Sequence, residues 1–189
     1  MALSLDDDNP TIVRPDGTRE WYEDGVLHRL VGPALVRPDG RREWFWQGLR
    51  HRADGPAIDS PAAYRAWFRF GRPHRTVGPA VEYQSGRREW YEDGLLHRVD
   101  GPAVECSSGQ REWFYRGRLH REDGPALEQA DGRREWRCHG LLHRMDGPAV
   151  IDPAGREFWY RAGAQVAGRG ERFPACSMGA PACTKAVAL

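Results

Sequence analysis

Six histidines stand at a fixed interval of 23 residues: His28, His51, His74, His97, His120 and His143. Imidazole is both a general base near neutral pH and the commonest metal ligand, so a periodic histidine column first raises metal binding or proton transfer. Each member is followed by arginine: Arg29, Arg52, Arg75, Arg98, Arg121 and Arg144. A cation beside an imidazole opposes a second positive charge. His139 stands outside the column, next to Cys138, and a thiol beside an imidazole is half of a metal site or an activated nucleophile. Cys106, Cys176 and Cys183 have no such neighbour, and the spacing of the four cysteines is that of neither a disulfide framework nor a zinc knuckle. They read as reduced thiols in the cytoplasm.

What must position these groups is the repeat that carries them. Tryptophan keeps the same interval at Trp21, Trp44, Trp67, Trp90, Trp113, Trp136 and Trp159, and Gly-Pro pairs keep it from Gly32-Pro33 to Gly147-Pro148. A ruler without insertions means identical structural units stacked in a row. The unit opening at Arg88 shows the pattern: a short aromatic run ends at Asp93-Gly94, Leu95-Leu96-His97-Arg98 follows, Asp100-Gly101-Pro102 stops that run, and Ala103-Val104 opens another. Asp-Gly between short extended runs is a type I′ hairpin signal. Helical periodicity is missing throughout.

These features predict an all-β fold: an elongated antiparallel array of hairpins forming one meandering sheet, with two to three short strands per unit. The alternative is a parallel β-solenoid with one 23-residue unit per coil. Residues 1–12 lead in, 13–166 hold six full repeats and a degenerate seventh, and 167–189 read as a disordered Ala/Gly-rich tail. The Trp column, the aromatic that follows it, the aliphatic after Gly-Pro-Ala and the His column are the expected repeat core.

This geometry bears on the metal question. With two paired strands per unit, equivalent histidines sit roughly 9–10 Å apart. Ligands of one zinc must each lie about 2 Å from it, so the column cannot share an ion. In a parallel coil the histidines stack and the objection fails. The hairpin reading therefore predicts no cofactor, no metal held through the column and no catalysis. The histidines read as structural, bonded to a periodic Glu such as Glu89 or Glu112, or to backbone.

Composition narrows the partner. The 28 basic and 27 acidic residues of this 189-residue chain nearly cancel, so no global field draws in nucleic acid or a membrane surface. All basic residues but Lys185 are arginine, which reads as a GC-rich bacterial or phage coding bias. Arginines among aromatics could instead serve a nucleic-acid or small-ligand binder, but the compensating glutamates argue against it. The Arg-Glu pair before most tryptophans, such as Arg42-Glu43, reads as a solvated cross-strand ion ladder.

The run Glu89-Trp90-Tyr91-Glu92-Asp93-Gly94 resembles the MORN repeat, and more closely its bacterial variant, found in antitoxin-like repeat proteins. The resemblance spans roughly residues 13–163. It implies an elongated sheet of hairpins and a scaffolding or binding role, including immunity, antitoxin or phage-defence functions. The His-Arg-x-Asp-Gly-Pro-Ala part departs from the eukaryotic consensus, so lipid binding does not carry over. The expected function is a non-catalytic module for a protein partner, with end-to-end or edge-to-edge self-association open. The variable position two after each Trp is where a partner surface lies: Trp46, Arg69, Glu92, Tyr115 and Arg161 are the candidates. Trp46 and Tyr115 lead as aromatics the repeat does not require; alternatively, they extend the core over the adjacent Trp.

Overall fold

The computed structural model describes residues 9–167. The lead-in thus lies mostly, and the expected disordered tail almost entirely, outside the described residues. Within them every element is a strand, and every pairing is antiparallel. Fifteen strands of the described residues form one open meander in chain order. This is the hairpin array, and the parallel coil is excluded.

A unit contributes more strands than the sequence suggests. Two of them, such as Val104–Glu105 and Arg111–Glu112, belong to the main sheet, and two more, such as Phe114–Tyr115 and Arg118–Leu119, form a separate two-stranded ribbon. The Trp column explains the division. Trp113 donates its N–H to Ala126 O of the main sheet (2.8 Å), and its carbonyl accepts from His120 N of the ribbon (2.9 Å). One extended run therefore serves two sheets, with Trp at the crossing. Each ribbon closes through a tight turn whose two central residues have positive φ, for example Asp24 (50°) and Gly25 (77°), as type I′ geometry requires. Successive ribbons are stitched together, as when Gly140 N donates to Leu119 O at 2.8 Å.

The buried row crosses the main sheet from strand to strand. Its register runs Leu35, Glu43, Ile58, Ala66, Val81, Glu89, Val104, Glu112, Leu127, Glu135, Val150, Phe158. Residues opposite one another share a face, so aliphatic and acidic side chains alternate along one inner row. Phe68 and Tyr91 pack over the part formed by Ile58, Ala66 and Val81. The alanines after Gly-Pro, Ala34 to Ala149, are buried. Five of the six residues of the expected aliphatic column are buried, and Leu127 is half-buried. Trp21 is buried too, whereas the other six tryptophans of the column are only half-buried.

The Arg-Glu ladder needs correction. Neighbours on a strand face opposite ways, and here the outward arginines are exposed while Glu20, Glu43, Glu89 and Glu135 are buried. A buried carboxylate must be paired and hydrogen-bonded. Residues two away share its face and supply the bonds. Arg87 Nε (2.6 Å) and Tyr91 Oη (2.9 Å) bind Glu89; Arg133 and Arg137 (both 2.8 Å) bind Glu135. Glu43 takes Arg41 (2.8 Å) and, because Phe45 offers no hydroxyl, Arg50 from across the ribbon (3.0 Å). The solvated ladder exists on the outer face, between different partners: Arg65 meets Asp59 at 3.2 Å and Arg111 meets Glu128 at 3.9 Å.

Candidate functional site

The arginine after each column histidine lies on the tryptophan of its own unit. Its guanidinium carbon stands 3.7–4.1 Å from the ring centroid in all six cases. Such a cation–π contact contributes about 0.5–2 kcal/mol. The other side of the guanidinium rests on the glycine of Gly-Pro, where a Cβ at Gly124 would stand 2.8 Å from Arg121 Cζ. Further bonds hold it, as Arg98 shows with Asp100 (3.0 Å), Pro102 O (3.2 Å) and Glu105 (3.1 Å). The expectation that this arginine flanks the imidazole electrostatically is thereby corrected. It turns away, because the Trp face and the loop carbonyl solvate it better than an imidazole edge can.

The histidines close the ribbons, and the next unit lies over them. The residue 19 positions later donates its backbone N–H to the Nδ1 of His51 (3.4 Å), His97 (3.2 Å), His120 (3.4 Å) and His143 (3.1 Å). His28 Nδ1 instead meets Glu23 (2.7 Å), and His74 Nδ1 is buried with no partner among the described residues. Of the acidic partners observed, Glu23 and Glu92 (3.1 Å from His97) come from a ribbon strand, and Glu122 (3.9 Å from His120) follows the ribbon. Glu89 and Glu112 are committed to the inner row, to Arg87 and Tyr91 and to Gln110 respectively.

The proposed partner residues all sit 18 positions after a column histidine, on the ribbon. Trp46 packs against His28 at 4.6 Å between ring centroids and stays 38% exposed. Tyr115 packs against His97 at 5.1 Å and reaches His120 and His139. Glu92 pairs with His97; Arg69 is exposed opposite Arg72; Arg161 donates to Met145 O at 2.8 Å. Their cross-strand neighbours include Leu49 and Leu95, which with Val26 and Leu141 are exposed apolar side chains at one ribbon position, where the third and fifth ribbons carry Arg72 and Arg118. The turn glycine of the next ribbon sits against this position: Cβ atoms at Gly71, Gly94 and Gly117 would touch Leu49 (3.4 Å), Arg72 (3.5 Å) and Leu95 (3.5 Å). Phe70, stacked on His51 at 4.4 Å, also joins this side. Neither Phe70 nor the leucines stood out in sequence; the signal was their constant offset from the histidine column.

One unit differs chemically. The positions 18 and 19 after His120 hold Cys138 and His139, and the donor atoms of all three lie within 4.8 Å of one another. Burial holds the His120 imidazole below its ordinary value; the neighbouring His139 adds to this, and Glu122 opposes it. Burial lowers His143 as well, helped by Arg161. Compared with known proteins, the chain matches no protein-family model and no curated sequence.

Proposed function

We propose that the chain is a non-catalytic repeat module that binds a protein partner along its ribbon row. The observation that carries this is the set of exposed apolar residues Val26, Leu49, Leu95 and Leu141 at one ribbon position, with Trp46 across the strand from Leu49 and with Arg72 and Arg118 between them. Exposed apolar groups gathered on one side mark interaction surfaces, and an aromatic such as Trp46 is the usual anchor. The arginine–tryptophan stacks favour a protein over a nucleic acid, because those arginines are already held by aromatic faces, carbonyls and carboxylates. The MORN-like unit fits a scaffold or a cognate-toxin binder in the cytoplasm. No helix of the described residues is long and apolar enough to cross a membrane. Affinity purification from the native host, wild type beside Trp46→Ala and Leu95→Asp, tests the reading. A stoichiometric protein retained by the wild type and lost with folded variants supports it. A partner that both variants still bind moves the interface elsewhere.

A further inference from the structure

The two residues 18 and 19 positions after each column histidine belong to the following unit, and five of the six histidines contact at least one of them. Those pairs are Trp46-Gln47, Arg69-Phe70, Glu92-Asp93, Tyr115-Arg116, Cys138-His139 and Arg161-Ala162. The fold therefore presents the same three-residue niche six times, and only the fifth carries a thiol and a second imidazole beside the histidine. We propose that His120, Cys138 and His139 form a metal site of the zinc class that joins the Trp113 unit to the Trp136 unit.

The geometry is close to what such an ion needs. Zinc takes thiolate at about 2.3 Å and imidazole at about 2.0–2.1 Å, so tetrahedral donors stand roughly 3.3–3.8 Å apart. The three donors here already fall within 4.8 Å of one another. The imidazoles of His120 and His139 are stacked, 4.3 Å apart and 10° from parallel, so one ring must turn to aim its lone pair at the ion. His139 sits in the hairpin turn and can do so without disturbing the sheet. His120 is held by its backbone bond to Trp113 O, and its Nδ1 accepts the His139 N–H at 3.4 Å. Cys138 is a thiol and not part of a disulfide. A donor set of one sulfur and two imidazole nitrogens selects zinc over calcium or magnesium, which prefer oxygen. Binding exchanges the thiol proton for the metal–sulfur bond, releasing one proton to solvent. Three protein ligands leave the fourth position to water, and the Glu122 carboxylate stands 3.9 Å from His120 Nε2. This does not revive metal sharing along the column, since two of the three ligands are off it.

The test uses the full chain, stripped of metal and titrated with Co²⁺ and then Zn²⁺. The expected result is one equivalent of Co²⁺ giving a thiolate charge-transfer band and tetrahedral ligand-field bands, both displaced by zinc. Cys138→Ser should abolish the charge-transfer band, and His120→Gln should weaken zinc binding at least about tenfold. His97→Gln and the double variant Cys176→Ser/Cys183→Ser should leave both unchanged. Circular dichroism on each variant separates loss of the site from loss of the fold, and the wild-type spectrum stands regardless of any variant. Absence of the band in the wild type, its survival in Cys138→Ser, or its loss in Cys176→Ser/Cys183→Ser overturns the proposal.

Discussion

The acidic inner row gives the sharpest test of how this sheet is held together. Glu43 is 2% exposed and lies between Leu35 and Ile58 in the register, so its carboxylate has no water to turn to. Arg41 and Arg50 solvate it instead, at 2.8 and 3.0 Å. Glu43→Ala removes two charge-assisted bonds and opens a small void. Hydrogen bonds to charged groups contribute about 1.5–3 kcal/mol each. The side chains of Arg41 and Arg50 are 23% and 41% exposed, so both recover part of that from water once released. The expected loss is therefore about 2–3 kcal/mol, below the roughly 3–5 kcal/mol for breaking a fully buried pair. On a chain of this size that is a fall in Tm of roughly 5–10 °C. Arg65→Ala is the control: it breaks the outer-face pair with Asp59, where the arginine side chain is 58% exposed, and should cost about 0–1 kcal/mol. Urea unfolding followed by tryptophan fluorescence, with the m-value checked for constancy, reads both. Equal losses for the two variants would falsify the claim that burial of the acidic row distinguishes the two faces.

Other outcomes follow from the same structure. Trp90→Ala should cost about 2–4 kcal/mol, near the low end for large-to-small changes because Trp90 is half-buried, and Trp46→Ala clearly less; matching denaturant midpoints would place Trp46 in the core. Stability should fall in two stages as the solution is acidified. His120 and His143 titrate below their ordinary 6.5 in the fold, so their contribution is complete above that pH and is lost as the pH drops through the folded values. Glu20, lowered by its Arg14 bond, and Glu135, where Arg133 and Arg137 outweigh the effect of burial, contribute fully above about 4.5 and fail on further acidification. A Tm flat from pH 7 to 3 contradicts both stages. Finally, the sheet should be elongated, roughly 60–65 Å along its strand-stacking direction; a small-angle scattering radius of gyration near 15–16 Å speaks for a compact particle instead.

The sequence by itself determined the unit, its length and its turns, because periodic Trp, His and Asp-Gly positions are local signals that need no tertiary contact to be read. The same Asp-Gly turns pointed to antiparallel pairing, since a two-residue loop cannot connect parallel strands, but the parallel coil stayed open until the ladders excluded it. It did not determine that the run through Trp113 divides between two sheets, because nothing in Arg111 to Tyr115 marks where one ladder hands over to the other. The burial of Glu43 and Glu89 was equally hidden. A charged residue reads as exposed until the register shows two aliphatic neighbours across the strands and an arginine two positions away. The arginine after each histidine was misjudged for a related reason: adjacency in sequence suggested a contact, while the chain directed the side chain onto Trp. The candidate metal niche depended most on tertiary structure. Cys138-His139 was visible as a pair, but His120 joins it only because stacking one unit on the next sets residues 18 and 19 apart within reach of each other. That offset is a property of the stacking, and only the assembled array brings His120 to the Cys138-His139 pair.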